Sequence, residues 1–387
     1  MKQQVKDVLM DDFWIMPVTP EYVEEGIPYI TSKNIKNGMI DFSKVNYISQ
    51  EAYEGISKNR PILVGDILIS MIGTLGEAAE IAESDGLFYG QNMFLVRLDE
   101  SKINKRYFLN FLKSNYVKRE LDRKQNQSTQ KYLKANHIED LTIPVPTLEE
   151  QYVIAWQLDK LAAIIALRKT EDRLLDELIK ARFVEMFGDP LVEGNRYPKV
   201  PLGSLTEVGS SKRIFEKEYV SEGIPFYRTK EIVELSKGNR ITTELFITKT
   251  RYDEIRSTYG VPQKGDLLIS AVGTIGVIWI VDGNNDFYFK DGNLLRVSAS
   301  EKFIPEYLKY LLDILISAYK QEMSSGTAYA ALTISALKKM MVYDVPLVEQ
   351  EGFADFVHQV DKSKAAVQKA LDETQLLFDS LMQEYFG

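Results

Sequence analysis

The chain has no cysteine. Disulfides and thiolate metal sites are excluded, and the composition suits a reducing cytoplasm. Histidine is nearly as scarce. His137 and His358 are the only two in 387 residues, so a multi-histidine metal centre is excluded as well. No apolar run approaches a membrane span: LAAIIAL at 161–167 is the longest notable one. The opening MKQQVKDVLMDDFW lacks the apolar core of a signal peptide. No Pro-, Ser- or Gln-rich tract points to disorder. Catalytic signatures are missing too. There is no G-x-x-x-x-G-K-[ST] for ATP and no N-P-P-[YFW] or D-P-P-Y for base methylation, which Asn59-Arg60-Pro61 does not meet. Glu216-Lys217-Glu218 reads as a solvated charge run rather than a nuclease centre. The two histidines lie in unlike contexts, and no set of residues converges on acid–base or nucleophilic chemistry.

What is present fits binding. The length suits two or three domains, and 45% apolar residues give each its own core. A net charge of −9 argues against a nonspecific nucleic-acid coat, but charge is unevenly spread. Residues 101–134 hold ten Lys and Arg against Glu120 and Asp122, a local balance of +8.

The organising feature is a duplication. GDILISMIGTLG (65–76) returns as GDLLISAVGTIG (265–276). EGIPYITSKNI (25–35) returns as EGIPFYRTKEI (222–232), and FYGQNMFLVRL (88–98) more loosely as FYFKDGNLLRV (287–297). IPVPTLEEQ (143–151) returns as YDVPLVEQ (343–350). All four offsets lie between 197 and 200. Within each copy the GD-LIS--GT-G stretch reads as strand, turn, strand. Ile67–Ile72 is apolar on both alternating faces, the pattern of a strand covered on both sides. Gly73-Thr74-Leu75-Gly76 breaks it. Residues 104–121 and 305–323 show helical spacing, so each copy mixes α and β.

Each copy continues into a long proline-free segment, 148–187 and 348–386. In the second, Phe353, Val357, Val360, Lys364, Val367, Leu371, Thr374, Phe378, Leu381 and Tyr385 alternate steps of four and three, a heptad seam. At offset 199 the first gives Ile154, Leu158, Leu161, Ile165, Arg168, Asp172, Leu175, Ile179, Arg182 and Met186, with polar breaks at Arg168 and Asp172. Such helices are ~55–60 Å long at ~1.5 Å per residue. A small domain cannot bury that stripe, so the two helices are expected to pack on each other. The chain thus divides into mixed domains at 1–146 and 189–346 and long helices at 147–188 and 347–387.

Two readings of the GTLG and GTIG loops stay open: a plain hairpin turn, or a phosphate cradle of backbone amides with Thr74 and Thr274. DNA-binding candidates are the polar loops. In copy one these are Thr31, Ser32, Lys33, Asn34 and Lys36, then Lys124, Gln125, Asn126, Gln127, Ser128, Gln130 and Lys131. In copy two they are Lys212, Arg213, Arg228, Thr229 and Lys230, then Ser324, Ser325, Thr327 and Tyr329. Arg and Lys suit guanine edges and phosphates, and Asn and Gln suit adenine. The copies agree in framework and differ in these loops, as two readers of different texts would.

The order domain, long helix, domain, long helix, with GD-L(I)S--GT-G in each domain and a V-P…E-Q step into each helix, closely resembles the specificity subunit of Type I restriction-modification systems. The resemblance spans essentially the whole chain. It implies an α+β fold: two tandem target recognition domains separated by a pair of long antiparallel coiled-coil helices, with pseudo-two-fold symmetry. It implies that each domain reads one half of a bipartite asymmetric DNA site. It further implies methylation subunits that carry S-adenosylmethionine, restriction subunits that use ATP and Mg, and no catalysis or cofactor in this chain. The second domain opens with the family's Tyr197-Pro198-Lys199-Val200-Pro201-Leu202-Gly203. The first lacks Pro-Leu-Gly, so its first strand is expected to be short or misformed. Residues 301–340, with five basic and four acidic residues, lack the basic stretch of copy one. Inserting a helical turn within 155–180 is expected to lengthen the spacer. The outer helix faces, with Lys160, Arg168, Lys169 and Arg173, are expected to bind the methylation partners or simply to keep the chain soluble. Two rivals remain: a nuclease or methylase with an unfamiliar site, and a scaffold without a DNA role.

Overall fold

The computed structural model describes residues 1–16, 20–73, 75–126, 132–324 and 331–387; the side chains of Gln125, Asn126 and Ser324 are also outside the description. It divides into two compact units: Met1–Lys169 with Lys369–Gly387, and Thr170–Gln368.

In the first unit, Ile67–Ser70 is the central strand of an antiparallel sheet ordered Trp14–Ile15, Met93–Val96, Ile67–Ser70, Ala78–Glu80. All four of its residues are buried. The reason is that it divides two cores. Ile67 and Ile69 enter the cluster formed with helices Lys105–Leu112 and Asn115–Asn126. Leu68 enters the opposite cluster, with a smaller sheet of Asn46–Ile48, Ile27–Thr31 and Tyr89–Gln91. A strand with no solvent face is apolar on both sides, here at Ile67, Leu68 and Ile69, and each such side chain contributes ~1.5–3 kcal/mol by burial.

The second unit repeats this plan. Leu267–Ser270 sits between Leu294–Val297 and Ile278–Ile280, with Leu267 and Ile269 facing one core and Leu268 the other. Its smaller sheet is Tyr219–Val220, Phe246–Ile247, Ile224–Tyr227, Tyr288–Phe289, again with one parallel pair. The repeated EGIP glycine is explained by close approach to the neighbouring strand. A Cβ on Gly26 would lie 2.3 Å from the Ile48 carbonyl oxygen, and one on Gly223 2.4 Å from that of Ile247.

The aspartate of the Gly-Asp step is a buried anchor in both units. Asp66 accepts the Leu63 amide at 2.9 Å and two bonds from Arg97 at 2.8 Å. Asp266 accepts the amides of Gln263 and Ala299, with Arg296 at 3.9 Å. The two arginines align in sequence but not in the sheet. Val96 and Val297 hold the same ladder position, so Arg97 lies just beyond its strand and Arg296 within its own.

Two expectations need correction. The first strand is neither short nor misformed relative to its counterpart. Lys2–Gln4 pairs with Thr142–Pro144, just as Lys199–Pro201 pairs with Met341–Tyr343, and each is followed by a 3-10 turn. Pro-Leu-Gly is not needed because Val5 and Val8, both fully buried, anchor the turn instead. The helical spacing over 104–121 is also not one helix. It breaks at Lys113–Ser114, where the Ser114 hydroxyl accepts the Val117 amide and starts a new helix, whereas Pro305–Ser324 is continuous.

The long helices run Leu148–Phe187 and Leu347–Phe386. Each is held at its start by a buried glutamine. Gln151 accepts the Asn104 amide and donates to the carbonyls of Lys102 and Pro146; Gln350 accepts the Ile304 amide and donates to Lys302 and Val345. Within the first unit Phe386 packs on Tyr107 and Phe111, and Tyr385 donates to Gln157. Within the second, Phe353 packs on Phe183 and Phe187. Along the seam Leu158, Ile165, Ile179, Phe353, Val357, Val360 and Val367 are buried, and Ile154, Leu161, Leu175, Leu371, Phe378 and Leu381 half-buried. Asp172 is not a break: it lies 3.7 Å from Lys364 of the facing helix.

Candidate nucleic-acid interface

The ladders fix which loop residues correspond. Tyr29 lies opposite Tyr89 and Phe226 opposite Tyr288, so Thr31, Ser32, Lys33 and Asn34 match Arg228, Thr229, Lys230 and Glu231. The fourth residue of each loop folds back on the first. Asn34 accepts the Thr31 amide at 2.9 Å and donates to the carbonyls of Asp41 and Lys44. Glu231 accepts the Arg228 amide at 2.8 Å and is paired with its guanidinium at 3.0 Å. Both are buried, at 8% and 2% exposure. Asn34 is thus turned inward, the Thr31 hydroxyl donates to it, and Arg228 is held by Glu231. A buried amide or carboxylate with its bonds made has none left for a base.

The outward residues are the lysines. Lys33 is exposed and has no ion pair among the described residues. Lys230 is 56% exposed, 3.6 Å from Glu231 and 3.8 Å from Glu244. Lys36 is paired with Asp41 at 2.6 Å, and that bond, with those from Ser43, holds the Asp41 carboxyl well below the usual range. Ser32 donates to the Asn92 carbonyl, while the equivalent Thr229 hydroxyl is buried without a partner among the described residues.

The Gly-Thr loops are hairpin turns. Gly73, Gly76, Gly273 and Gly276 all have positive φ, which only glycine takes up readily. The amides of Gly76 and Gly276 donate to Ser70 and Ser270, and those of Ile275 and Val277 are also bonded within the turn. Few donors remain for a phosphate cradle. Thr74 lies outside the described residues, as do Gln127, Ser128, Gln130, Lys131, Ser325, Thr327 and Tyr329.

In the second unit the structure brings Thr229, Lys230 and Thr274 to one open cleft of about 570 Å³, with Gly273 and Asn293. Thr274 also borders a second cleft of about 380 Å³ with Lys309, Asp313, Ser317 and Lys320. These last four were missed from sequence, although their spacing places them on one face of a helix. Lys212 lies over the Tyr259 ring at 5.0 Å, and Arg213 pairs with Asp291 at 2.7 Å.

The basic stretch of the first unit is partly neutralised. Lys102 pairs with Asp99, Lys105 with Glu100 and Glu80, Arg106 with Asp159 and Arg123 with Glu120. Lys124 is half-buried and donates to the carbonyls of Asn136 and His137. Lys113, Lys118 and Arg119 remain exposed without ion pairs among the described residues. No metal-holding group of His, Asp and Glu occurs among the described residues, and no described helix is long and apolar enough to cross a membrane.

Duplicated α+β units with unlike polar loops, each joined to a long helix, define a class of two-domain recognition proteins. The profile of the Type I restriction modification DNA specificity domain matches residues 17–176 and 196–374, and the chain belongs to that family. It is thus a specificity subunit of the Type I restriction-modification kind, the non-catalytic component of such systems. A putative type I restriction enzyme specificity subunit of Haemophilus influenzae is 27% identical over 90% of this chain and 84% of its own length. A putative specificity subunit of Methanocaldococcus jannaschii is 25% identical over 89% and 84%. Among solved structures, a chain from a study of assembly and conformational transition of the type I R-M system is similar with a TM-score of 0.61. It is 18% identical, covering 100% of this chain and 97% of that one. An S subunit from M. genitalium gives 0.57 at 15% identity, covering 100% and 96%.

Proposed function

We propose that each unit reads one half of a bipartite, asymmetric duplex DNA site. The observation that carries this reading is the pair of equivalent loops, 31–34 and 228–231. They share a buried closing residue and an outward lysine on the same frame, while the two residues before that lysine differ, Thr31-Ser32 against Arg228-Thr229. The outward lysines supply phosphate contact and salt dependence. Base discrimination then falls to the neighbouring hydroxyls and amides, in the second unit those of Thr274 and Asn293 in the cleft beside Lys230.

The chain works as a scaffold in the cytoplasm. S-adenosylmethionine belongs to methylation partners, and ATP and Mg to restriction partners. The long helices offer a surface for the former. On the central helix Tyr152, Val153, Trp156, Ile164 and Leu167 are exposed within the first unit, away from the seam. Large apolar side chains repeating along an outer helix face favour contact with another protein over simple solubility.

The test is to map methylated bases in cells carrying this chain with its methylation partner. Thr274→Ala with Lys230→Gln is expected to alter recognition in one half-site and leave the other unchanged. Loss or change of both halves together would contradict the division of labour.

A further inference from the structure

We propose that Lys364, with Asp172 and Asp176, selects which helix pairs with which, so that the chain closes on itself rather than on a second copy. Within the second unit Lys364 stands at a seam position between Val360 and Val367, both nearly fully buried. Its ammonium lies 3.7 Å from Asp172 and is also bonded to Asp176. The lysine is 26% exposed and the two carboxylates 36% and 51%, so the ammonium is partly withdrawn from water beside opposite charge.

The repeat shows what this layer does. At the offset of 199, Lys364 corresponds to Ile165, Asp172 to Leu371 and Asp176 to Gln375. The matching layer in the other half of the seam therefore has an apolar pair where this one has an ion pair. The two helices share a heptad frame, and on apolar pattern alone each is able to pair with a copy of itself. Antiparallel self-pairing of the C-terminal helix sets Lys364 against Leu371 twice. Self-pairing of the central helix sets Asp172 against Ile165 twice and Arg168 against its own copy. Of these pairings, only that of the unlike helices sets Lys364 against Asp172 and Asp176. A polar residue at one seam position specifies register and partner in this way, at some cost in stability. The proposal does not depend on what the two units bind.

The test uses full-length chains, unfolded, mixed and refolded together. One carries Lys364→Glu; the other carries Asp172→Lys with Asp176→Lys. Neither matches its own layer, but exchange of helices between them matches both layers. Heterodimer, read by native mass spectrometry of isotopically distinct chains, is expected at roughly tenfold the level of two wild-type chains treated alike. A third chain with all three substitutions restores opposite charges within one molecule and is expected to return to the wild-type level. No excess heterodimer from the mixture overturns the proposal. So does a triple variant that fails to fold or dimerises as much as the mixture, because a layer acting through charge matching tolerates reversal of both signs.

Discussion

At the scale of residues, position four of the loops 31–34 and 228–231 separates frame from surface. Thr31-Ser32-Lys33-Asn34 is uniformly polar, and residue type alone does not say which side chain turns inward. Spacing gives the only hint: a side-chain acceptor three residues after an extended residue is a capping arrangement, met by Asn34 and Glu231 alike. Asn34→Ala and Glu231→Ala are each expected to cost ~1–2 kcal/mol in denaturant unfolding. Lys33→Ala and Lys230→Ala are expected to leave stability within ~0.5 kcal/mol and to reduce the salt dependence of duplex binding by ~1 in slope. The reverse pattern would place the lysines in the frame.

Tyrosines give a second residue-scale expectation. Burial, and then the hydrogen bond to Asp286, push Tyr252 up to about 12, and burial pushes Tyr29, Tyr107, Tyr307 and Tyr310 higher still. The fold thus favours the neutral phenol. That stabilisation is complete below the unfolded value of ~10 and is lost as pH rises through the folded values. Phenolate absorbance from these side chains is expected to appear only with unfolding. Ionisation near pH ~10 in a still-folded chain would contradict their burial.

At the scale of elements, the repeated twelve-residue stretch was legible because a strand with two buried faces leaves apolar residues on both alternating sides between glycines. The hairpin turn and the helical spacing were legible for similar reasons. The break at Lys113–Ser114 was not, because apolar spacing continues across it and only the Ser114 cap marks it. Nor was the part played by the glutamines of the V-P…E-Q step. Their amides bind backbone brought in from 47 to 49 residues upstream in the first unit and 46 to 48 in the second, contacts without local signature. Gln350→Leu, which leaves the Ile304 amide and the Lys302 and Val345 carbonyls without it, is expected to cost ~2–3 kcal/mol. A change under ~0.5 kcal/mol in denaturant unfolding would show the clamp to be dispensable.

At the scale of the whole chain, duplication was the most legible feature, since it is written as matched offsets. Its asymmetry was harder to see. Asp172 looks like a flaw in a heptad until Lys364, nearly two hundred residues away, is placed against it. The central functional claim is that the paired helices set the distance between two half-sites. It is tested most directly by inserting one heptad within 155–180 of the central helix and one at the facing layer of the C-terminal helix, then mapping methylated sites. Seven residues add ~10 Å of helix, about three base pairs of duplex. The expected result is a spacer longer by about that amount with both half-sites unchanged. An unchanged spacer in a methylation-competent variant would contradict the claim.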